Sequence, residues 1–124
     1  MKEPKSHNWP ISSIISEIGT IEHCGRLRSK TTIDPDKMRI LGSYVWMMVL
    51  DGKAFYKSEG GDTMPLSLGD CILFGPDERH AYGSADGKTW EQIYIVFSGP
   101  IFDALWKSPT FRHSLRPVAG VLRA

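Results

Sequence analysis

The sequence predicts an all-β domain, a sandwich or a barrel, on the basis of two features of residues 44–97. The first is a series of short runs rich in β-branched and aromatic residues. The second is the close, fairly even spacing of the turn sequences between those runs, which is typical of all-β folds. Polar and aromatic side chains recur at alternate positions within the runs, so one face of the strands can line an interior.

Length and composition indicate a single soluble domain. The chain has 124 residues and a formal net charge of +1, from 15 basic and 14 acidic residues. Because no basic cluster marks a nucleic-acid-binding surface, we expect any contact with DNA to lie outside this chain. Two widely separated cysteines fit a reducing compartment, and a single disulfide between them is the alternative. Neither a membrane-spanning run nor a signal-peptide apolar region is visible, so we expect a cytoplasmic protein.

The first third of the chain predicts three segments. Residues 1–10 are polar and contain two prolines, which predicts a flexible tail. Residues 11–24 carry isoleucines whose spacing fits a strand or a helical face, and the density of β-branched residues favours a strand. Residues 26–38 are charged and predict a loop, which lies either at a barrel mouth or simply on the surface. We take residues 11–98 as the barrel domain.

The remaining elements follow from turn and cap residues. Asp51-Gly52 between two apolar runs predicts a tight hairpin, because a type I′ turn requires positive φ angles. Pro100 suits the first turn of a helix. We expect this helix to pack on the outside of the barrel and to end before Ser108-Pro109. The residues that would share one of its faces are Ile101, Phe102, Leu105 and Trp106. Residues 99–124 are therefore predicted to form a short helix and a linker.

The spacing of Gly69-Asp70, Pro76 and His80 resembles the second sequence motif of the cupin superfamily, whose fold is a double-stranded β-helix or jelly roll. In metal-binding cupins this histidine joins a His-x-His…Glu set from an earlier strand, and the matching residues 52–57 contain no histidine here. One imidazole is too few for a first-row metal. We therefore predict no metal site and no cofactor.

The segment of about residues 20–107 resembles the N-terminal effector domain of AraC-type transcriptional regulators, and the matching features occur in the same order along the chain. The features that carry this resemblance are Arg39, the strand and turn of residues 44–54, the cupin-like motif ending in His80-Ala81-Tyr82, and the strand of residues 90–97 followed by Ser98-Gly99.

The resemblance implies a cupin-like jelly roll that binds a small molecule, often a sugar, inside the barrel. It also implies a homodimer, formed partly through helices that follow the barrel and that this chain contains only in part. The two helix-turn-helix subdomains of the family are absent before Ala124. We expect an excised domain, and the alternative is a natural stand-alone cupin.

Strand alternation in residues 90–97 separates a mixed face from an apolar one. Trp90, Gln92 and Tyr94 share the mixed face, where flat rings and an amide suit a polyhydroxylated ligand. Similarity to the arabinose-responsive regulator implies sugar contacts at Gln92, Tyr94 and Tyr82. For both tyrosines, an ordinary core position is an equally weighted alternative.

Two further residues are candidates with structural alternatives. Arg39 can clamp a hydroxyl or a carboxylate, and a salt bridge at the rim is the alternative. His80 shares a strand face with Tyr82 and fits a hydrogen-bonded structural histidine better than a catalyst, because no nucleophile motif accompanies it. The complete set of candidate ligand-binding residues is Arg39, His80, Tyr82, Trp90, Gln92 and Tyr94.

The sequence therefore predicts a ligand-sensing and dimerising domain of an AraC-type regulator that catalyses no reaction. Its effector would be a small molecule such as a sugar, and DNA would be bound only by a separate C-terminal domain. The alternative is a stand-alone cupin enzyme, such as a sugar isomerase or a metal-dependent oxygenase. For the apolar residues Trp46, Met47 and Met48, core packing is favoured over a dimer interface.

Overall fold

The computed structural model of the protein describes residues 6–9, 16–30 and 35–109. Within those residues the chain forms eight β-strands, a 3₁₀ turn at Pro35–Lys37 and the helix α1 at Pro100–Trp106. The strands are β1 (Ser6–Trp9), β2 (Thr20–Ser29), β3 (Tyr44–Asp51), β4 (Ala54–Ser58), β5 (Met64–Leu66), β6 (Cys71–Phe74), β7 (His80–Ser84) and β8 (Trp90–Ser98). No helix in the described ranges is long and apolar enough to cross a membrane.

The strands form two antiparallel sheets whose inner faces enclose the core. One sheet has the order β1-β2-β8-β3-β6, and the other has the order β5-β4-β7. After β3 the chain passes to the second sheet, returns at β6, and alternates again through β7 and β8. This double crossing is the arrangement of a jelly roll, so the predicted all-β class is confirmed.

The core follows from the alternation of side chains along β3 and β8. On β3, Val45, Met47 and Val49 point inward and are at most 6% exposed, whereas Trp46 and Met48 are only half-buried. The largest fully buried side chains are Phe74, Met47, His80 and Val49. Both sheets therefore contribute large side chains to one continuous core, which provides most of the driving force for folding.

The turn at Asp51 and Gly52 carries the chain from one sheet to the other. Strand β3 pairs with β6 and β8, whereas β4 pairs with β5 and β7. The predicted hairpin between β3 and β4 is therefore wrong. Only glycines have positive φ among the described residues, so Asp51 cannot belong to a type I′ turn. The Asp51-Gly52 sequence predicted correctly that the chain turns here, but it carried no information about which strands pair with each other.

Strand β2 covers the first part of the predicted 26–38 loop. Arg26 and Arg28 lie on its outer face and pair with Glu91 of β8, with 3.5 Å between Arg28 Nη1 and Glu91 Oε2. The charged composition here reflects one ion-paired strand face rather than a loop. The later loop residues 31–34 lie outside the described residues.

The N-terminal segments differ in part from their predicted form. Within the predicted tail, residues 6–9 form β1, an edge strand whose backbone pairs with β2. The rest of that tail, and residues 11–15, lie outside the described residues. Residues 20–24 belong to β2, which confirms the favoured strand there. Composition could not predict β1, because an edge strand is held by backbone pairing.

Helix α1 packs on the outside of the larger sheet, as predicted. It starts after Gly99, whose φ of 137° is one that side-chain-bearing residues rarely adopt. Tyr44 donates a hydrogen bond of 2.8 Å to Asp103 of the helix. The same ring stacks on Phe97 and meets Trp106 edge-on, with both centroid separations 5.5 Å. Packing around Tyr44 therefore fixes where the helix lies.

Gly52→Ala should lower the free energy of unfolding more than the matched control Gly60→Ala. Both glycines have positive φ, 81° and 76°, so alanine at either costs about 1–2 kcal/mol of backbone strain. At Gly52 the new methyl group would lie 2.8 Å from the Thr89 carbonyl oxygen, whereas at Gly60 it would have no atom within 4 Å. We expect an additional loss of about 1–3 kcal/mol in urea denaturation. Equal losses for the two variants would contradict the packing described at this turn.

Candidate ligand-binding site

A cavity of about 210 Å³ opens between the two sheets beside β8. The residues that line it are His23, Leu27, Arg39, Leu41, Val45, Phe74, Tyr82, Gln92, Tyr94 and Val96. Val45, Phe74 and Val96 are buried and form its apolar base, whereas Arg39 and Leu41 are exposed and belong to its rim. An apolar base with a few polar groups is the usual composition of a small-molecule site.

Strand alternation explains why β8 contributes most to this cavity. Gln92, Tyr94 and Val96 point to the same side, as predicted from their period of two. Glu91 points to the opposite side, where two arginines pair with it. Leu27 lies directly across from Gln92 on the neighbouring strand β2, so it faces the same cavity.

Arg39 is fixed at the rim by both its backbone and its side chain. Its amide and carbonyl exchange hydrogen bonds of 3.1 and 3.0 Å with His80 at the start of β7. The guanidinium donates a 3.0 Å hydrogen bond to the Tyr82 hydroxyl. Its central carbon also lies 5.7 Å from the centroid of the Tyr82 ring. The segment before β3 therefore presents a positive charge to the cavity from a fixed backbone position.

Gln92 presents a buried amide to the cavity. The residue is 2% exposed and is among those that line the cavity. Because an amide has both donors and an acceptor, Gln92 can hydrogen-bond a ligand or water inside the cavity.

Tyr94 and His23 form the wall next to Gln92. Burial raises the pKa of Tyr94, so its hydroxyl stays protonated and can donate a hydrogen bond at neutral pH. His23 meets the Tyr94 ring edge-on at 5.6 Å. Together with the Tyr82 ring, this wall offers an aromatic surface with several hydrogen-bonding groups at its edge.

Of the six predicted ligand-binding residues, the structure brings four to the cavity: Arg39, Tyr82, Gln92 and Tyr94. His80 and Trp90 do not line it. They are 0% and 3% exposed, within the core behind it. The centroid of the His80 ring lies 4.2 Å from that of Phe74 and 5.8 Å from that of Tyr82, on which the ring is stacked. His80 therefore supports two cavity residues from behind. The alternation that puts His80 and Tyr82 on one face could not show how deep each lies.

The hydrogen bonding of His80 fits the structural alternative. Its Nδ1 lies 3.0 Å from the Glu78 carbonyl oxygen, and its Nε2 has no partner among the described residues. Burial lowers the pKa of this imidazole below its ordinary value, and the positive charge of Arg39 lowers it further. The histidine therefore stays neutral in the folded protein near pH 7.

Sequence reasoning missed several lining residues, above all His23 and Leu27. Both lie on β2, whose continuation past residue 25 was obscured by the arginines of its outer face. The alternation of Leu27 between Arg26 and Arg28 was a signal that could have revealed an inward-facing strand position.

A metal site would require several His, Cys, Asp or Glu side chains close together. Across residues 6–9, 16–30 and 35–109, no three His, Cys, Asp or Glu side chains are placed close enough together to hold an ion. Cys24 and Cys71 are both free thiols, and burial raises the pKa of Cys71.

Comparison of the sequence with protein families gives a single assignment. Residues 36–123 match the family described as the AraC-like ligand binding domain, a span that includes most of the cavity. The chain belongs to this family. Its resemblance to AraC-type effector domains is thereby confirmed, and its cavity is that of a small-molecule-binding domain. A search of curated proteins finds no match.

Solved structures similar to this AraC-like domain confirm the cupin-like jelly roll. YhaK from Escherichia coli has a TM-score of 0.60 at 11% identity, over 77% of this chain and 45% of its own. A cupin superfamily protein from Desulfitobacterium hafniense has a TM-score of 0.51 at 11% identity, over 77% and 80% of the two chains. A protein from Ralstonia eutropha, provisionally described as a mannose-6-phosphate isomerase, has a TM-score of 0.55 at 16% identity, over 76% and 85%. Identities this low show the fold alone.

Replacement of His80 should reduce the pH dependence of stability. Because burial lowers the pKa of His80 below its unfolded value of 6.5, the unfolded chain binds more protons as the pH falls through that value. The free energy of unfolding of the AraC-like domain should therefore decrease between roughly pH 7 and pH 5. His80→Phe should flatten this slope, whereas His23→Gln, the matched control at the exposed rim, should retain it. Urea denaturation at several pH values measures both, and an unchanged slope in His80→Phe would refute the assignment.

Proposed function

We propose that this AraC-like domain is the effector-sensing part of a transcriptional regulator and that it binds a sugar-like small molecule in the cavity beside β8. The observation that carries the proposal is the Gln92 side chain, which is 2% exposed and lines the cavity beside Tyr94. A ligand with several hydroxyl groups would supply both the donors and the acceptors that an amide requires.

The size and lining of the cavity support the same ligand class. Its volume of about 210 Å³ is below the roughly 300–1,000 Å³ of typical drug-sized pockets, so a ligand of monosaccharide size fits best. The rings of Tyr82 and Tyr94 provide flat apolar surfaces for the C–H faces of a sugar, while their hydroxyls lie at the edge.

The proposed signal is a difference in ligand affinity between two arrangements of the cavity mouth. Arg39 joins the segment before β3 to β7 through two backbone hydrogen bonds, and it also lines the cavity. A ligand that contacts Arg39 and the β2 residues His23 and Leu27 would favour one arrangement of these segments. Occupancy would then be transmitted to a separate DNA-binding domain as a coupling free energy.

Binding without chemistry, in the cytoplasm, is part of the proposal. The residues that line the cavity offer hydrogen bonds, ring faces and one permanent charge, which suffice for recognition. The two free cysteines are consistent with a reducing compartment.

Gln92→Leu should abolish ligand binding without destabilising the unliganded domain. The substitution keeps the side-chain volume similar and replaces a polar group at a cavity whose base is apolar, so we expect an equal or higher melting temperature. A thermal-shift panel of monosaccharides, sugar acids and sugar phosphates should include ligands that stabilise the wild type and fail to stabilise Gln92→Leu. Met48→Leu, on the outer face of the same sheet, is the matched control and should retain the shift.

Two outcomes of the same panel would contradict the proposed function. The first is the absence of any stabilising ligand for the wild type, or equal stabilisation of Gln92→Leu. The second is chemical conversion of the bound ligand, because a sensing domain should return it unchanged when it is recovered and examined by nuclear magnetic resonance.

We further propose that the domain forms a homodimer through the outer face of its larger sheet. Trp46, Met48, Leu73, Ile93 and Ile95 are half-buried on that face, opposite the cavity. Register makes them neighbours, since Trp46 pairs with both Leu73 and Ile95, and Met48 pairs with Ile93. Contiguous apolar side chains on one sheet face support an interface with a second copy.

Trp46→Glu should therefore shift the protein toward the monomer in sedimentation velocity experiments, because the charge would be buried in the proposed interface. Leu68→Glu introduces the same charge at a turn residue that is 52% exposed, and it serves as the control. A monomeric wild type at micromolar concentration, or a Trp46→Glu variant that sediments like the wild type, would contradict the dimer.

A further inference from the structure

The charges that line the cavity are unbalanced. Arg39 carries a permanent positive charge, and no aspartate or glutamate is among the lining residues in the described part of the chain. The acidic residue next to Gln92 in sequence, Glu91, points to the opposite side of the sheet and is paired with Arg26 and Arg28. One cation with no anion among the described lining residues attracts a negatively charged ligand.

Arg39 keeps most of its hydrogen-bonding capacity free for such a ligand. Among the described residues its side chain makes one hydrogen bond, to Tyr82, and also lies over the face of that ring. An arginine side chain has five N–H donors, so this contact leaves the others available. By contrast, Arg26, Arg28 and Arg79 each have a carboxylate partner.

The contact with Tyr82 also orients the guanidinium. Tyr82 is supported from behind by His80, whose ring is nearly parallel to it at an angle of 6°. The backbone of Arg39 is bonded to the same His80. The charged group is thus held from two directions, which lowers the conformational entropy lost when it binds a ligand.

We propose that the effector is a monosaccharide-sized hydroxy acid, such as a sugar acid, whose carboxylate accepts hydrogen bonds from Arg39. Its hydroxyl groups would contact Gln92 and Tyr94, so this inference rests on the proposed function and specifies the ligand class for the same cavity. A carboxylate matches the planar fork of a guanidinium. The single positive charge of an arginine balances the charge of −1 on a carboxylate more completely than the charge of nearly −2 on a phosphate ester.

Matched pairs of ligands test the inference by isothermal titration calorimetry. The pairs are galacturonate with galactose and glucuronate with glucose, and glucose 6-phosphate represents the phosphates. For at least one pair, the acid should bind roughly tenfold to hundredfold more tightly than the neutral sugar, as expected for a hydrogen bond to a charged group. The affinity for the acid should also fall as the salt concentration rises.

Arg39→Gln should remove the preference of the acid over its neutral partner, and Arg39→Lys should retain part of it. Arg79→Gln, which removes an exposed arginine away from the cavity, is the matched control and should keep the full preference. The ratio of the two affinities within each variant is the readout, so a general loss of stability in Arg39→Gln cannot imitate the expected result.

Three outcomes would overturn the inference. They are equal binding of acid and neutral sugar, tighter binding of the phosphate ester, and no binding of either acid. If neutral sugars bind and their binding depends on Gln92, the inference about charge fails while the proposed sensing function stands. The proposed function itself fails if the wider thermal-shift panel also contains no ligand that depends on Gln92, or if the bound ligand is chemically converted.

Discussion

Strand β8 hydrogen-bonds to β2 on one side and to β3 on the other, and the rest of the structure depends on this double pairing. Because side chains alternate along a strand, the pairing fixes two faces at once. One face brings Gln92 and Tyr94 to the cavity, and the other brings Ile93 and Ile95 to the outer surface. A shift of one residue in register would exchange the two faces, so the binding cavity and the outer apolar surface have a common origin.

Behind the cavity, packed aromatic rings support its aromatic wall. The His80 ring stacks with the rings of both Tyr56 and Tyr82, and its centroid lies 4.2 Å from that of Phe74, so aromatic rings of the second sheet support the cavity. The same histidine holds the backbone of Arg39. One buried neutral imidazole thereby connects the core, the aromatic wall and the charged rim, although it does not itself line the cavity.

The two faces of the larger sheet have different surroundings. Its inner face is buried in the core except at the cavity, whereas α1 covers its outer face near Tyr44 and Phe97. This division places recognition of a small molecule inside the barrel and leaves the outer face for the proposed dimer contact. An effector and a second subunit could therefore be bound at the same time without competing for residues.

The sequence by itself determined the all-β class, the limits of β8 and α1 and the faces of β8, because these depend on local periodicity and cap residues. It also led to four of the cavity residues, Arg39, Tyr82, Gln92 and Tyr94, partly through family resemblance. Tertiary structure decided what local patterns do not encode. Contacts between residues distant in sequence decide which sheet receives the chain after Gly52 and how deep His80 and Trp90 lie. The same kind of contact places β2 so that His23 reaches the rim of the cavity.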